Sequence, residues 1–591
     1  MVPDPAPLLV SSIIGLALGA TVVLIRVLPP WIAIALVTVF AIGPLAVVGR
    51  TELGHTAGRT LWEWAAVGGA TVQASYHIDP LAVTAAAAVA VATAVAMVAS
   101  MGAGGPIAPA LLALLGIALI ALCAVTDVVV AAIVAGASAA LAVAAALFVA
   151  PQAAAARLAA LLALGVQSLI ASALLLARAG APSFELDDIA RGAISSSVVL
   201  AAVLGAALFG GLYPFVPWRY ERSAAEPRTP LSQLRGLALF PTAVAGTVVA
   251  FRIIAASGLR PDELRLPDIS VEAHAAILAL VVVAGAIAVR AAPREALARR
   301  SLAAGAFVAA AIALPYMSVA HVMTLIALLT IVYATVASTA LVEEWAVARF
   351  DVRIAVVWAA LASGSAPALA ASLFGLVASS VALVIESATP PGAAGAAIAA
   401  SARLLNLVGP FLAVAGVAFA SDPIAGALAG VVLAWAALLE LGHAVRESGT
   451  HPAGAIVERA FAALVAVAVV FVVSLVASLP ATAAAVDVLG PLPAEALDLV
   501  LVALTLLAVA LAVLIVALPG TIRARIGARG MSLLRRVLLA SDPVPALALA
   551  YRGVEAWSER IGSSFATLED RAGVWLATAL IALALIWAAT T

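Results

Sequence analysis

The residues able to do chemistry are few and scattered. His321 stands among apolar neighbours, six residues after Pro315 and flanked by Ser318 and Thr324. An imidazole changes charge near neutral pH, so His321 is the leading candidate for a titrating group, and a hydrogen-bonded packing histidine is the competing reading. Asp127 follows Thr126 at the mouth of an apolar run, where a carboxylate either takes a proton or, the stronger reading, caps a helix in solvent. Arg252 lies within another run and could snorkel to its edge. Arg403 and Asn406, three apart ahead of Gly409-Pro410, share a helical face; they could pair with Glu386, hold an anionic group, or simply tie two helices together. Glu440 and His443 also share a face, but Arg446 and Glu447 follow at once, which predicts a solvated helix end and no metal site. Glu343 and Glu344, ahead of Arg349, read as interfacial. No phosphate loop, nucleophile with a base, or paired carboxylates of a hydrolase can be assembled. The expectation is a chain with no catalytic residue, metal or cofactor of its own.

The elements that must position these residues are set by composition. Of 591 residues 65% are hydrophobic and 10% charged, whereas soluble proteins average about 45–50% apolar and about 25% charged. Mean hydropathy is +1.21, and apolar runs of about 20 residues, each matching the hydrocarbon thickness, recur along the chain. The expected fold is all-α: a polytopic transmembrane bundle of about 16–18 spans. A soluble enzyme is excluded, and at a net charge of -1 nothing points to nucleic acid. All 30 basic residues are arginine. A single cysteine, Cys123, excludes an internal disulfide or a zinc site. The opening MVPDPAPLL lacks a basic n-region, so the first apolar run reads as a retained helix.

Arginines cluster at 219–235, at 290–300 and from Arg523 to Arg571, which the positive-inside rule places in the cytoplasm. The acidic stretches at Glu185–Asp188 and Asp262–Asp268 then fall outside, and the chain itself is expected in the inner (cytoplasmic) membrane of a cell. Parity fails once. Arg349 and Arg353 should share a side with Arg446 and Arg459, yet three candidate spans separate them. The suspect is 354–388, interrupted by Gly364-Ser365-Ala366-Pro367, which reads as two spans, one broken helix or a kink. Three parts are expected: a bundle over 1–519, an amphipathic segment over 520–571 lying along the cytoplasmic interface, and an anchor helix over 572–591.

Two stretches carry a resemblance. Tyr76-His77-Ile78-Asp79-Pro80-Leu81 leads into the third candidate span, and Leu212-Tyr213-Pro214-Phe215-Val216-Pro217-Trp218 closes the seventh, before Pro227-Arg228-Thr229-Pro230 and the eighth. Together they resemble the antiporter-like membrane subunits of respiratory complex I, membrane-bound hydrogenases and multisubunit cation/proton antiporters. In that family Asp-Pro-Leu opens the third span and a proline- and tryptophan-containing loop links the seventh and eighth. Asp79, Pro80, Pro214, Phe215, Trp218 and Pro230 match; Val216 stands where the family has histidine. The resemblance implies a lateral helix at 520–571 and a relay of buried lysines. Here the relay positions map onto Phe209, Pro241 or Gly236, and Leu325, the fifth-span glutamate falls near Ala137, and only His321 matches.

The functional expectation is a membrane subunit of a multisubunit proton- or cation-coupled complex with a degenerate or lost proton path. Its partners would be lipid and other membrane subunits, those of an oxidoreductase complex among them. The candidate path residues are His321, Asp127, Arg252, Arg403, Asn406 and Glu386. The alternatives are a non-conducting scaffold that docks partners and an independent small-solute transporter.

Overall fold

The computed structural model describes residues 57–67, 70–100, 107–149, 152–189, 194–212, 231–266, 271–290, 308, 311–340, 342–387, 393–448 and 456–490. The loop at 213–230, with Pro214, Phe215, Trp218 and Pro230, and the segments at 520–571 and 572–591 lie outside the described residues. The described chain is helical apart from one hairpin. Strands β1 (Ala57–Val67) and β2 (Ala70–Ile78) pair antiparallel, with register shifts at Thr60/Trp62 and Glu63/Ala65. The alternation of polar and apolar residues up to Ile78 is the period-2 pattern that makes β2.

Helices α1 (Pro80–Ser100), α2 (Ile107–Ala124), α3 (Val128–Val149), α4 (Gln152–Arg178), α5 (Ser196–Gly210) and α6 (Leu231–Ser257) follow the hairpin. After them come α8 (Val319–Ala340), α9 (Val342–Ala362), α10 (Ala366–Ser387), α11 (Ala393–Gly416), α12 (Pro423–Ser448) and α13 (Ile456–Leu489). These elements belong to one compact unit, and α7 (Val271–Arg290) to a second. Eight of the described helices are long and apolar enough to cross a membrane. A helix apolar all round can sit enclosed by other helices or against lipid. Accordingly α1 is almost wholly buried, whereas α4 leaves Leu164, Ile170 and Leu174 exposed at the rim.

Small residues let the helices touch backbone to backbone, which in lipid replaces the hydrophobic drive to associate. At the α10–α11 crossing a Cβ on Gly375 would lie 2.7 Å from the Cα of Gly409, and one on Gly409 would strike the Cα of Gly375. Pro410 lies inside α11 beside this crossing.

The suspect region resolves into two helices. Gly364 adopts φ +65° in a tight turn between α9 and α10, and a Cβ there would collide with Ser421 Oγ. Candidate span 354–388 is therefore the second half of α9 plus all of α10, and α9 begins at Val342, ahead of its charges. An apolar window misses that first half because Glu343, Glu344, Arg349, Asp351 and Arg353 dilute it. Arg349 and Arg353 lie inside α9, and of the helices α9 to α12 only α10, α11 and α12 are long and apolar enough to cross a membrane, so the count between the arginine groups stays odd.

Candidate functional site

Two groups of polar side chains occupy the first unit. One sits where the hairpin meets the helix ends. Pro80 occupies the first turn of α1, where its missing N–H costs nothing, and Asp79 before it caps the helix by accepting from Ala82 N at 2.6 Å. The same carboxylate receives Arg252, from α6, at 3.0 Å. Arg252 also donates to the carbonyl of His77 at 2.9 Å, so a guanidinium 6% exposed ties α6 to the start of α1. This differs from the expectation of snorkelling, because a carboxylate and two carbonyls within reach replace water.

Asp127 caps α3 by accepting from Val129 N at 2.8 Å and Val130 N at 3.0 Å. Its other oxygen accepts from Gln73 N at 2.8 Å, which pins β2 to the helix end. The expected cap is there, but not the expected solvation: the residue is wholly buried, and burial raises its pKa against those three N–H donors. Glu185, in the connection after α4, pairs with Asp127 through an isolated backbone β-bridge and is 5% exposed. Burial, partly opposed by a hydrogen bond with Thr126 and reinforced by Asp187, Asp127 and Asp188, pushes its carboxyl up to about 7. His77 Nδ1 meets Asp187 Oδ2 at 2.7 Å; that bond raises the imidazole pKa against burial and lowers that of Asp187. A cavity of about 420 Å³ opens here, lined among others by His77, Asp79, Thr126, Asp187, Arg252 and Asp487.

The other group joins α9, α10, α11 and α12. Arg349 Nη1 meets Glu386 Oε2 at 2.5 Å, Asn406 Nδ2 donates to Glu386 Oε1 at 3.3 Å, and Arg353 Nη2 donates to Asn406 Oδ1 at 2.7 Å. Both guanidinium carbons lie over the Phe350 ring, at 5.3 Å and 5.4 Å from its centroid. Arg403 is 9% exposed on the same helix as Asn406. Glu440 and His443 are 5% and 3% exposed, so the solvated helix end expected there is instead packed inside. Arg446 and Glu447 continue α12 for another turn beyond them, which is why the charge run misled.

His321 lies in the first turn of α8 and apart from both groups. Its Nδ1 accepts from Ser318 N at 3.1 Å and lies 2.8 Å from Ser318 Oγ, one half of a capping box with histidine in place of glutamate, while His321 N donates to the Ser318 carbonyl. Of the residues that the resemblance set against the family's relay positions, Phe209 is buried in α5, Pro241 lies in α6, and Leu325 is exposed on α8. Sequence reasoning missed Arg349 and Arg353 as site residues. Their spacing of four, with buried Val352, Ile354 and Ala355 around the second, was the available signal. Among the described residues no set of three or more histidine, cysteine or carboxylate side chains is placed to hold a metal.

No protein-family model matches the sequence, and no curated relative does. Solved structures do. A chain of the Mrp complex from Dietzia sp. DQ12-45-1b superposes with a TM-score of 0.56 at 16% identity, covering 99% of this chain and 63% of that one. This chain shares its fold with that chain of the Mrp complex. The membrane-bound sulfane sulfur reductase, an archaeal respiratory membrane complex, has a chain that matches with a TM-score of 0.51 at 14% identity, over 82% of this chain and 97% of that one. A chain of respiratory complex I from Thermus thermophilus gives 0.48 at 17% identity, over 86% and 99%. This chain spans less than two thirds of the Mrp chain's length.

Proposed function

We propose that this chain is a membrane subunit of a multisubunit ion-coupled complex in the inner (cytoplasmic) membrane, and that it does not carry protons by a lysine relay. The observation that carries the reading is the antiporter-like fold, held over 99% of the chain against a subunit of the Mrp complex. Apolar Phe209 and Leu325 and the imino acid Pro241 at the relay positions support the second half, since none of them can gain or lose a proton. The arginine-rich 520–571 segment is the proposed docking arm for a neighbouring subunit or a second copy, with 572–591 as its anchor. If any protons cross, the groups to test are His321, Asp127, Arg252, Glu386, Arg403 and Asn406. Purification from native membranes in mild detergent tests the reading: defined membrane subunits should co-elute with the chain. A chain that elutes alone and moves a small solute by itself would refute it.

A further inference from the structure

The α9–α12 group contains a charge that a proton path would not place there. Arg353 lies near the middle of α9, eleven residues after Val342 and nine before Ala362, and is 5% exposed. One bond, to Asn406 Oδ1, is its hydrogen-bonded link to the row, while Nε and Nη1 are buried without a hydrogen-bond partner. Asn406 in turn donates to Glu386, whose other oxygen is taken by Arg349. Glu440 acts on the guanidinium electrostatically from α12. Burying a guanidinium with donors unmet costs stability, so packing alone does not account for this residue.

We infer that Arg353 is an electrostatic plug, a permanent positive charge midway along the polar row that bars protons and small cations from crossing this chain. The inference deepens the reading of the chain as a non-relaying subunit and rests on it. A proton relay requires every link to accept a proton before passing one on. A guanidinium has five N–H donors and no lone pair to accept with, and it stays protonated in proteins. The row Glu386, Asn406, Arg353 therefore ends on a group that cannot take the proton, and the Asn406 carbonyl is already occupied by that group's N–H. A cation passing about 4 Å away at an effective dielectric of about 20 is depleted roughly 10³-fold by repulsion. Lysine at this position would behave differently, because a desolvated ammonium readily sheds its proton and becomes an acceptor.

The test uses the native complex in liposomes, a pH-sensitive dye inside, and a potassium diffusion potential as the driving force. The wild-type complex should leak protons no faster than empty lipid. Arg353→Gln, which keeps donors for Asn406 and removes the charge, and Arg353→Lys, which keeps a charge that can titrate, should each raise the leak at least about tenfold. Assembled variants that stay at background would overturn the inference. So would a wild-type flux abolished by Arg353→Gln, since the residue would then lie on a working path. Failure of both variants, and of Arg353→Met, to fold would mark the guanidinium as structural and overturn it as well. A chain that purifies alone yet leaks only when Arg353 is replaced would refute the complex-subunit reading and leave the plug standing.

Discussion

Glu185→Gln should make the protein more stable at pH 8 and leave it nearly unchanged at pH 5. The carboxyl is enclosed beside the hairpin, with Asp127, Asp187 and Asp188 as negative neighbours, and its pKa rises from 4.5 to about 7. A raised acid binds its proton in the folded chain while the unfolded chain has already released it. Stability therefore falls as pH climbs from 4.5 to about 7, and the deficit is complete above that. The difference of about 2.5 pKa units corresponds to roughly 3 kcal/mol at pH 8 and under about 1 kcal/mol at pH 5. Glutamine is isosteric, keeps a partner for Thr126 and carries no charge to desolvate, so it should recover most of that difference. The assay is built into the chain: Cys123 is the one thiol and is wholly buried, so a fluorogenic maleimide in detergent reports unfolding. The variant should melt about 2–3 °C above wild type at pH 8. An equal gain at both pH values, or a loss at pH 8, would refute the reasoning.

Asp187→Asn should lower the melting temperature at pH 5.5 more than at pH 9, by a few degrees at most, because Asp187 is largely exposed. The sign follows from His77, whose pKa is raised by that hydrogen bond, so its contribution is present at low pH and fades as pH rises through the folded value. Gly409→Val should abolish recovery of folded protein, since two backbones meet there and overpacking costs about 1–3 kcal/mol even where side chains can yield. Gly430→Ala, 3.5 Å from a Val417 methyl and in ordinary contact, is the matched control that should fold. Arg529→Cys in a Cys123→Ala background should react with an impermeant thiol reagent only from the cytoplasmic side of oriented vesicles. Labelling from the opposite side would invert the proposed topology.

Much of the architecture was legible in the residues themselves. Hydropathy alone excludes a soluble fold, because runs that match the bilayer have no other stable solvent. Local rules also placed one cap: Asp127 after Thr126 starts a helix, since its partners lie two or three residues away, while the start at Asp79-Pro80 was read from the resemblance. Apart from Asn406 with Glu386, which was among the expected pairings, non-local pairing was not legible. Arg252 meets Asp79 across 173 residues, Arg353 meets Asn406 across 53, and Arg349 meets Glu386 across 37. A charge in an apolar run looks like a span's end when its partner is unseen, which is why α9 was read as starting at 354 and Glu440 as solvated. Desolvating a charge is tolerable only where a counter-group has been brought to it. Which helix supplies that group is decided by backbone contacts such as Gly375 on Gly409, and so by the packing of the bundle rather than by anything local in the chain.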